Sequence, residues 1–211
     1  MKRIIEEKKD FFARLAPRWE KENVVAERLS RDLSFWLSPL KLKAGDRILD
    51  LGGGTGRLAR FLSSVYRIRS ICLDFASGMV KEGRRRNYDP RINFIQADAH
   101  DLPLADGSVD HIISFCSFPH FDHKEGVIGE CYRVLQKEGT LTVIHDSGRD
   151  EINTFHSRQE QTISNDHLPP PDQFRYWAVN GGWETEEISD FRKRFLVRFR
   201  KPTNQGKKSN R

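Results

Sequence analysis

Long apolar runs are missing from this sequence, and with them the ~18–20 apolar residues a membrane-spanning helix needs. Cysteine is scarce. Cys72, Cys116 and Cys131 are widely spaced and form no C-x-x-C pair, so neither a disulfide framework nor a cysteine-based zinc site is expected. Two of them fall in apolar strand-like runs, where a buried, inert thiol is the ordinary reading. The first ten residues mix acids and bases without an apolar segment. They do not read as a secretory signal, and a cytoplasmic location is the expectation. No internal repeat is present.

An even spread of charge is also missing. The formal charge is +6, but residues 191–211 hold nine Lys or Arg and no acid, against 27 basic and 30 acidic residues in the rest. The basic character therefore belongs to the C-terminal end, which weakens any inference from it to nucleic acid. Residues 202–211 have no apolar anchor and read as a disordered basic tail. The chain of 211 residues, 37% hydrophobic, is long enough for one domain with one sizeable core.

Along the chain, residues 3–38 carry apolar side chains at helical spacing, interrupted by Pro17 and closed by Pro39. An alternation follows. Short apolar strands are expected at 47–51, 68–74, 92–97, 109–116 and 140–145. Helices are expected at 55–64, 77–86 (with Ser77 as its cap) and 123–136, the last ended by Gly139. This pattern predicts an α/β fold, a doubly wound and mostly parallel sheet covered on both faces. A helix over 171–181 and two strands over 183–188 and 195–199 suggest a hairpin that closes the sheet edge.

Gly52, Gly54 and Gly56 follow the first strand and open a helix. Glycines there let the backbone approach a ligand beyond the strand ends. The dinucleotide fingerprint G-x-G-x-x-G would place its third glycine at position 57, which is Arg57, and a Gly-Lys-Ser/Thr phosphate loop is absent. Asp74 ends the second strand, where a carboxylate accepts ribose hydroxyls from NAD or from any other nucleoside. Asp98 ends the third, placed to accept a proton from an adenine amino group. Asp50 precedes the glycines, where a cationic amino-acid moiety would sit. Three acids without a phosphate-binding base suit a cofactor with sulfonium and ammonium charges.

Ile48–Gly56 resembles motif I of the class I S-adenosylmethionine-dependent methyltransferases. Leu73–Met79 is similar to that family's second-strand end, Ala97–Leu104 to its adenine-contact segment, and Glu130–Leu141 to the helix and turn before the fifth strand. The likeness spans residues 45–146. It departs at Gly53, where Cys or Ala is usual, and at Glu138, where Pro is common. It implies a Rossmann-like, seven-stranded sheet with an antiparallel last strand in a methyltransferase domain over 45–201. It also implies S-adenosylmethionine as cofactor, held by Asp50, Gly52, Gly53, Gly54, Gly56, Asp74, Phe75, Met79, Asp98, Ala99 and Phe115. In similar enzymes an N-terminal helical segment, here residues 1–44 with Trp19, lids the cofactor, although amphipathic packing accounts for its aromatics equally.

The acceptor is less legible. The segment Ser114-Phe115-Cys116-Ser117-Phe118-Pro119-His120-Phe121 has neither the Asn/Asp-Pro-Pro-Tyr/Phe of base-amino methyltransferases nor a Pro-Cys nucleophile, so a small-molecule acceptor is expected over nucleic acid. His120 and His145 follow the fourth and fifth strands, where a neutral imidazole suits removal of a proton from an oxygen or nitrogen acceptor. His156 and Arg149 join them as candidate acceptor contacts. His120, His145 and His156 are also weak candidates for a metal or for a metal-containing substrate. Two alternatives stay open: a non-catalytic protein that senses cofactor or metal on the same fold, and an RNA methyltransferase using the basic tail.

Overall fold

The computed structural model describes residues 2–19 and 26–203. Among them, seven strands form one sheet in the order β3-β2-β1-β4-β5-β7-β6. The strands are β1 (Arg47–Leu51), β2 (Arg69–Asp74), β3 (Ile92–Gln96), β4 (Val109–Phe115), β5 (Leu135–His145), β6 (Glu184–Phe191) and β7 (Arg194–Arg200). The first five are parallel, and β7 lies antiparallel between β5 and β6. The expected closing hairpin is therefore present, with its second strand inserted next to β5. The helices are α1 (Lys2–Leu15), α2 (Ala26–Leu37), α3 (Arg57–Tyr66), α4 (Ser77–Arg86), α5 (Lys124–Val134), α6 (Arg149–Ser157) and α7 (Pro171–Gly181).

The strands are apolar on both faces because both faces are covered. Neighbouring residues point opposite ways. Ile48, Ile113, Ile144 and Leu196 pack under α2 and α3 through Leu33, Leu37, Leu58 and Leu62. Leu49, Ile112, Val143 and Val197 pack under α5 and α7 through Val127, Cys131, Phe174 and Trp177. α1 belongs to neither layer. Its Phe11, Phe12 and Ala16 pack on Ala76, Met79 and Ile163 beside the C-terminal ends of the strands.

Three expectations need correction. Ser77 does not cap its helix. Ala76 occupies that position without a side-chain cap, and its N–H donates 2.9 Å to Asp74 Oδ1. The helix before the fifth strand stops at Val134, because residues 135–145 are captured as strand. Leu135 pairs with Val109, and Glu138, at φ 63°, donates its N–H to the Lys201 carbonyl. The helix after the glycines starts two residues late, at Arg57. The basic C-terminal end is in good part sheet: Arg194 and Arg198 pair with Glu187, and Arg200 pairs with Glu138, Glu184 and Glu186. Residues 204–211 of the expected tail lie outside the described residues, as do residues 20–25 of the N-terminal segment.

Candidate functional site

A cavity enclosing about 1000 Å³ of empty space, part of it open to solvent, lies at the C-terminal ends of β1, β2 and β4. The strand order reverses between β1 and β4, the point at which ligands bind open α/β sheets. Its floor is the glycine loop. Gly52 and Gly53 donate their N–H groups to the Leu73 carbonyl at 2.9 and 3.0 Å. Gly54 donates to Asp74 Oδ2 at 2.9 Å. Both Asp74 oxygens thus fix backbone, one the loop and the other the entry to α4, and their remaining lone pairs are what a ligand would meet. Gly53 is required by close approach: a Cβ there would sit 2.5 Å from Cys72 Sγ and 2.7 Å from the Asp50 carboxyl carbon. The departure at this position is therefore physical, since Asp50 and Cys72 fill the space a side chain would need.

Asp50 and Asp74 are buried, and burial dominates their chemistry. It pushes Asp50 up to about 7 against the hydrogen bond from the Ala59 N–H, with the charge of Asp74 adding to the rise. It pushes Asp74 up to about 6 against two backbone donors. Ionised carboxylates in so apolar a place favour a cationic ligand that restores the lost solvation. Asp98 is more exposed. Burial works against its ionisation, but hydrogen bonds from the His100 backbone and ring outweigh it, and its carboxyl stays below the usual range. The His100 ring spans from Asp98 Oδ1 (2.6 Å) to the carbonyl of Asp122 (2.7 Å).

The far wall holds His120, on the turn Phe118–His120 after β4. Its Nδ1 lies 2.8 Å from Asp166 Oδ2. Asp166 Oδ1 lies 2.6 Å from Lys8 Nζ, which also reaches Asp122 Oδ1 at 3.0 Å. Burial opposes the charge of Asp166, yet hydrogen bonds from His120 and Lys8 hold its carboxyl below the usual range. An ionised carboxylate only accepts, so Nδ1 is the donor and Nε2 is left as the nitrogen able to take a proton. The Phe12 ring meets the imidazole edge-on at 4.8 Å. The His156 ring lies 4.9 Å from it, tilted by 45°, and donates Nδ1–H to the Asp166 carbonyl at 2.5 Å. Burial, then the charge of His120, lowers the His156 pKa. His145 is more deeply buried. Burial, then His120 and His156, brings it down to about 3, and its Nε2 has no hydrogen-bond partner.

Of the residues singled out by sequence, Asp50, Gly52, Gly53, Gly54, Asp74, Phe75, Met79, Asp98, Ala99 and Phe115 line this cavity, with Trp19 and His120. Gly56 does not. It starts α3 at φ 86°, where a Cβ would meet the Phe94 ring at 2.6 Å. His145 and His156 lie behind His120 and off the cavity wall. Arg149 is away from it, its guanidinium turned to Asp150 and Asp190. Among the described residues no group of three or more His, Cys, Asp or Glu is arranged to hold a metal ion. Sequence reading missed Lys8, His100, Asp122 and Asp166. The last sits in the stretch Asn165-Asp166-His167, where nothing local marks it as the partner of a residue 46 positions away.

Residues 49–143 match the family model described as a methyltransferase domain. The ubiquinone/menaquinone biosynthesis C-methyltransferase of Dinoroseobacter shibae is 37% identical over 118 residues, 53% of this chain and 46% of that protein. The demethylmenaquinone methyltransferase of Thermus thermophilus is 34% identical over 139 residues, 63% of each chain. The match thus spans about half to under two thirds of these curated relatives. Among solved structures, the putative methyltransferase of Haloferax volcanii in complex with the Trm112 activator superposes with a TM-score of 0.68 at 21% identity. That alignment covers 90% of this chain and 97% of that one.

Proposed function

We propose that this chain, a class I S-adenosylmethionine-dependent methyltransferase, methylates a small, flat acceptor bearing an ionisable hydroxyl, with His120 as general base. The observation that carries this reading is that His120 and the three cofactor acids line one cavity. In this reading Asp98 takes the adenine amino group, Asp74 the ribose hydroxyls, and Asp50 the cationic amino-acid end. S-adenosylmethionine bound there supplies an electrophilic methyl group on a sulfonium that leaves as a thioether. The protein's own part is positioning and proton removal. Asp166 holds the imidazole by Nδ1, so Nε2 accepts the acceptor's proton as its oxygen or ring carbon gains the methyl group. Phe12, Trp19 and Phe121 border the same cavity, and aromatic walls suit a planar acceptor.

Relatives named as quinone C-methyltransferases make hydroquinones the first acceptors to try. The experiment is titration calorimetry with S-adenosylmethionine, followed by S-adenosylhomocysteine release across hydroquinones, phenols and amines. Cofactor binding, with turnover that His120→Asn abolishes, supports the reading. Binding without turnover on any acceptor would favour a sensing protein, and absence of binding would sink both.

A further inference from the structure

Lys8 is the feature that neither apolar packing nor the proposed chemistry explains. α1 already has an apolar reason to dock, because Phe11, Phe12 and Ala16 are buried against Ala76, Met79 and Ile163. A lysine brought along in that interface loses its hydration, which is unfavourable unless the charge is matched. Yet Lys8 is 4% exposed. Its Nζ donates to Asp122 at 3.0 Å and to the His120 carbonyl at 3.4 Å, and pairs with Asp166 at 2.6 Å. Those partners come from the turn after β4 and from the connection between α6 and α7, segments more than a hundred residues from Lys8. Burial disfavours its charge, but the hydrogen bonds and charges of Asp166 and Asp122 outweigh this, and the pKa lies above the ordinary lysine value.

We infer that Lys8 is a positioning residue that joins docking of α1 over the cavity to alignment of the His120 base. This rests on the assignment of His120 as base. With α1 seated, Nζ separates two carboxylates and presents Asp166 Oδ2 to His120 Nδ1. With α1 lifted, Asp166 and Asp122 lose that shared cation. The groups left facing Asp166 are then His120, His156 through its backbone bond, and Lys124, whose Nζ is committed to the carbonyls of Pro119 and Phe121. Ile5 and Phe12 line the cavity from the same helix, so the movement that opens a path for product also withdraws the support of the base. Base alignment is thereby confined to the state in which α1 covers the cavity, where less solvent reaches the reacting atoms.

The test compares wild type, Lys8→Met, Lys8→Arg and Asp122→Asn in three measurements. The first is amide hydrogen exchange of residues 2–15 without any ligand. The second is the rate of S-adenosylhomocysteine release, and the third is the separate kcat and acceptor KM. Loss of a buried, charge-assisted contact should speed exchange of α1 and release of product by about tenfold or more in Lys8→Met. It should lower kcat with little change in acceptor KM, with partial recovery in Lys8→Arg and a smaller effect in Asp122→Asn. Wild-type protection of α1 in Lys8→Met overturns the proposal. So does faster exchange with an unchanged kcat, since Lys8 would then hold the helix without positioning the base. If Lys8→Met fails to fold, Asp122→Asn and Lys8→Arg carry the same comparison. If the chain binds no cofactor, the function assigned above fails, while the exchange measurement still reads whether Lys8 secures α1.

Discussion

Asp50→Asn should make the ligand-free protein more stable at pH 8 and a poorer binder of S-adenosylmethionine. The Asp50 carboxyl is buried and raised from 3.8 to about 7, chiefly by desolvation. At roughly 1.4 kcal/mol per unit, its ionisation opposes folding by about 4 kcal/mol at pH 8. Asparagine keeps the shape and an oxygen to accept the Ala59 N–H, which Asp50 Oδ2 now accepts at 3.2 Å, but it buries an amide N–H₂ at a cost of about 1–3 kcal/mol. A net stabilisation of about 2 kcal/mol remains. The sign with pH follows from proton counts. Between 3.8 and about 7 the folded protein holds a proton on Asp50 that the unfolded chain has lost, so the penalty grows as pH rises through that window. At pH 5 it is under about 2 kcal/mol, and the advantage of the variant should vanish. Urea denaturation at pH 5 and pH 8 reads this directly, and calorimetry reads the loss of cofactor affinity. A variant less stable than wild type at pH 8, or one whose stability difference is the same at both pH values, would refute the argument.

Asp166→Asn removes the carboxylate that fixes His120 Nδ1 as donor. It should lower kcat by about 10²–10⁴ with cofactor binding retained, and an unchanged kcat in steady-state assays would remove His120 from the base role. Gly53→Ala places a methyl against Cys72 and Asp50 and should destabilise by about 1–3 kcal/mol in thermal or urea melts; a wild-type melt would show that the loop has room. His145→Leu deletes a buried nitrogen without a partner and should leave stability within about 1 kcal/mol at pH 7. Because a buried His145 held down to about 3 stays neutral while the unfolded chain takes a proton below 6.5, the variant should also resist acid better than wild type. A loss of turnover with intact stability would instead bring His145 into contact with the acceptor.

The half of the cavity proposed to hold the cofactor was readable because it is local. Asp50, the glycines and Ala59 are neighbours in sequence, and Asp74 reaches Gly54 because β2 pairs beside β1 in register. A strand, a tight turn and a helix start are spelled out within about ten residues, and each acid stands at or just beyond the end of a strand whose apolar run marks it. The same locality put Gly56 among the expected ligand contacts, although it does not line the cavity. As the third glycine of the loop it looked like a ligand contact, but its left-handed backbone and the Phe94 ring against it, a neighbour from β3, are sufficient cause.

The half proposed to meet the acceptor is built from contacts that periodicity does not encode. Lys8, Asp122 and Asp166 read as ordinary charges on a helix and two loops, and only the fold brings them to one nitrogen. Histidines draw attention by residue type, so the sequence offers His145 as a base beside His120 and His156 as an acceptor contact, and burial separates them. Of these three, His120 lines the cavity and pairs through a side-chain carboxylate, whereas His156 pairs with a backbone carbonyl and His145 leaves its Nε2 without a hydrogen-bond partner. This division has a chemical consequence. An acid that follows a strand can be kept while everything beyond the turn changes, because its geometry depends on the sheet. The base proposed at His120, held by a lysine and an aspartate from distant segments, depends on all three at once, so on this reading changing the acceptor requires α1, the turn after β4 and the connection before α7 to change together. Acceptor identity should therefore move when these three segments are exchanged as a set between relatives, and an exchange of one segment should lower turnover without redirecting it.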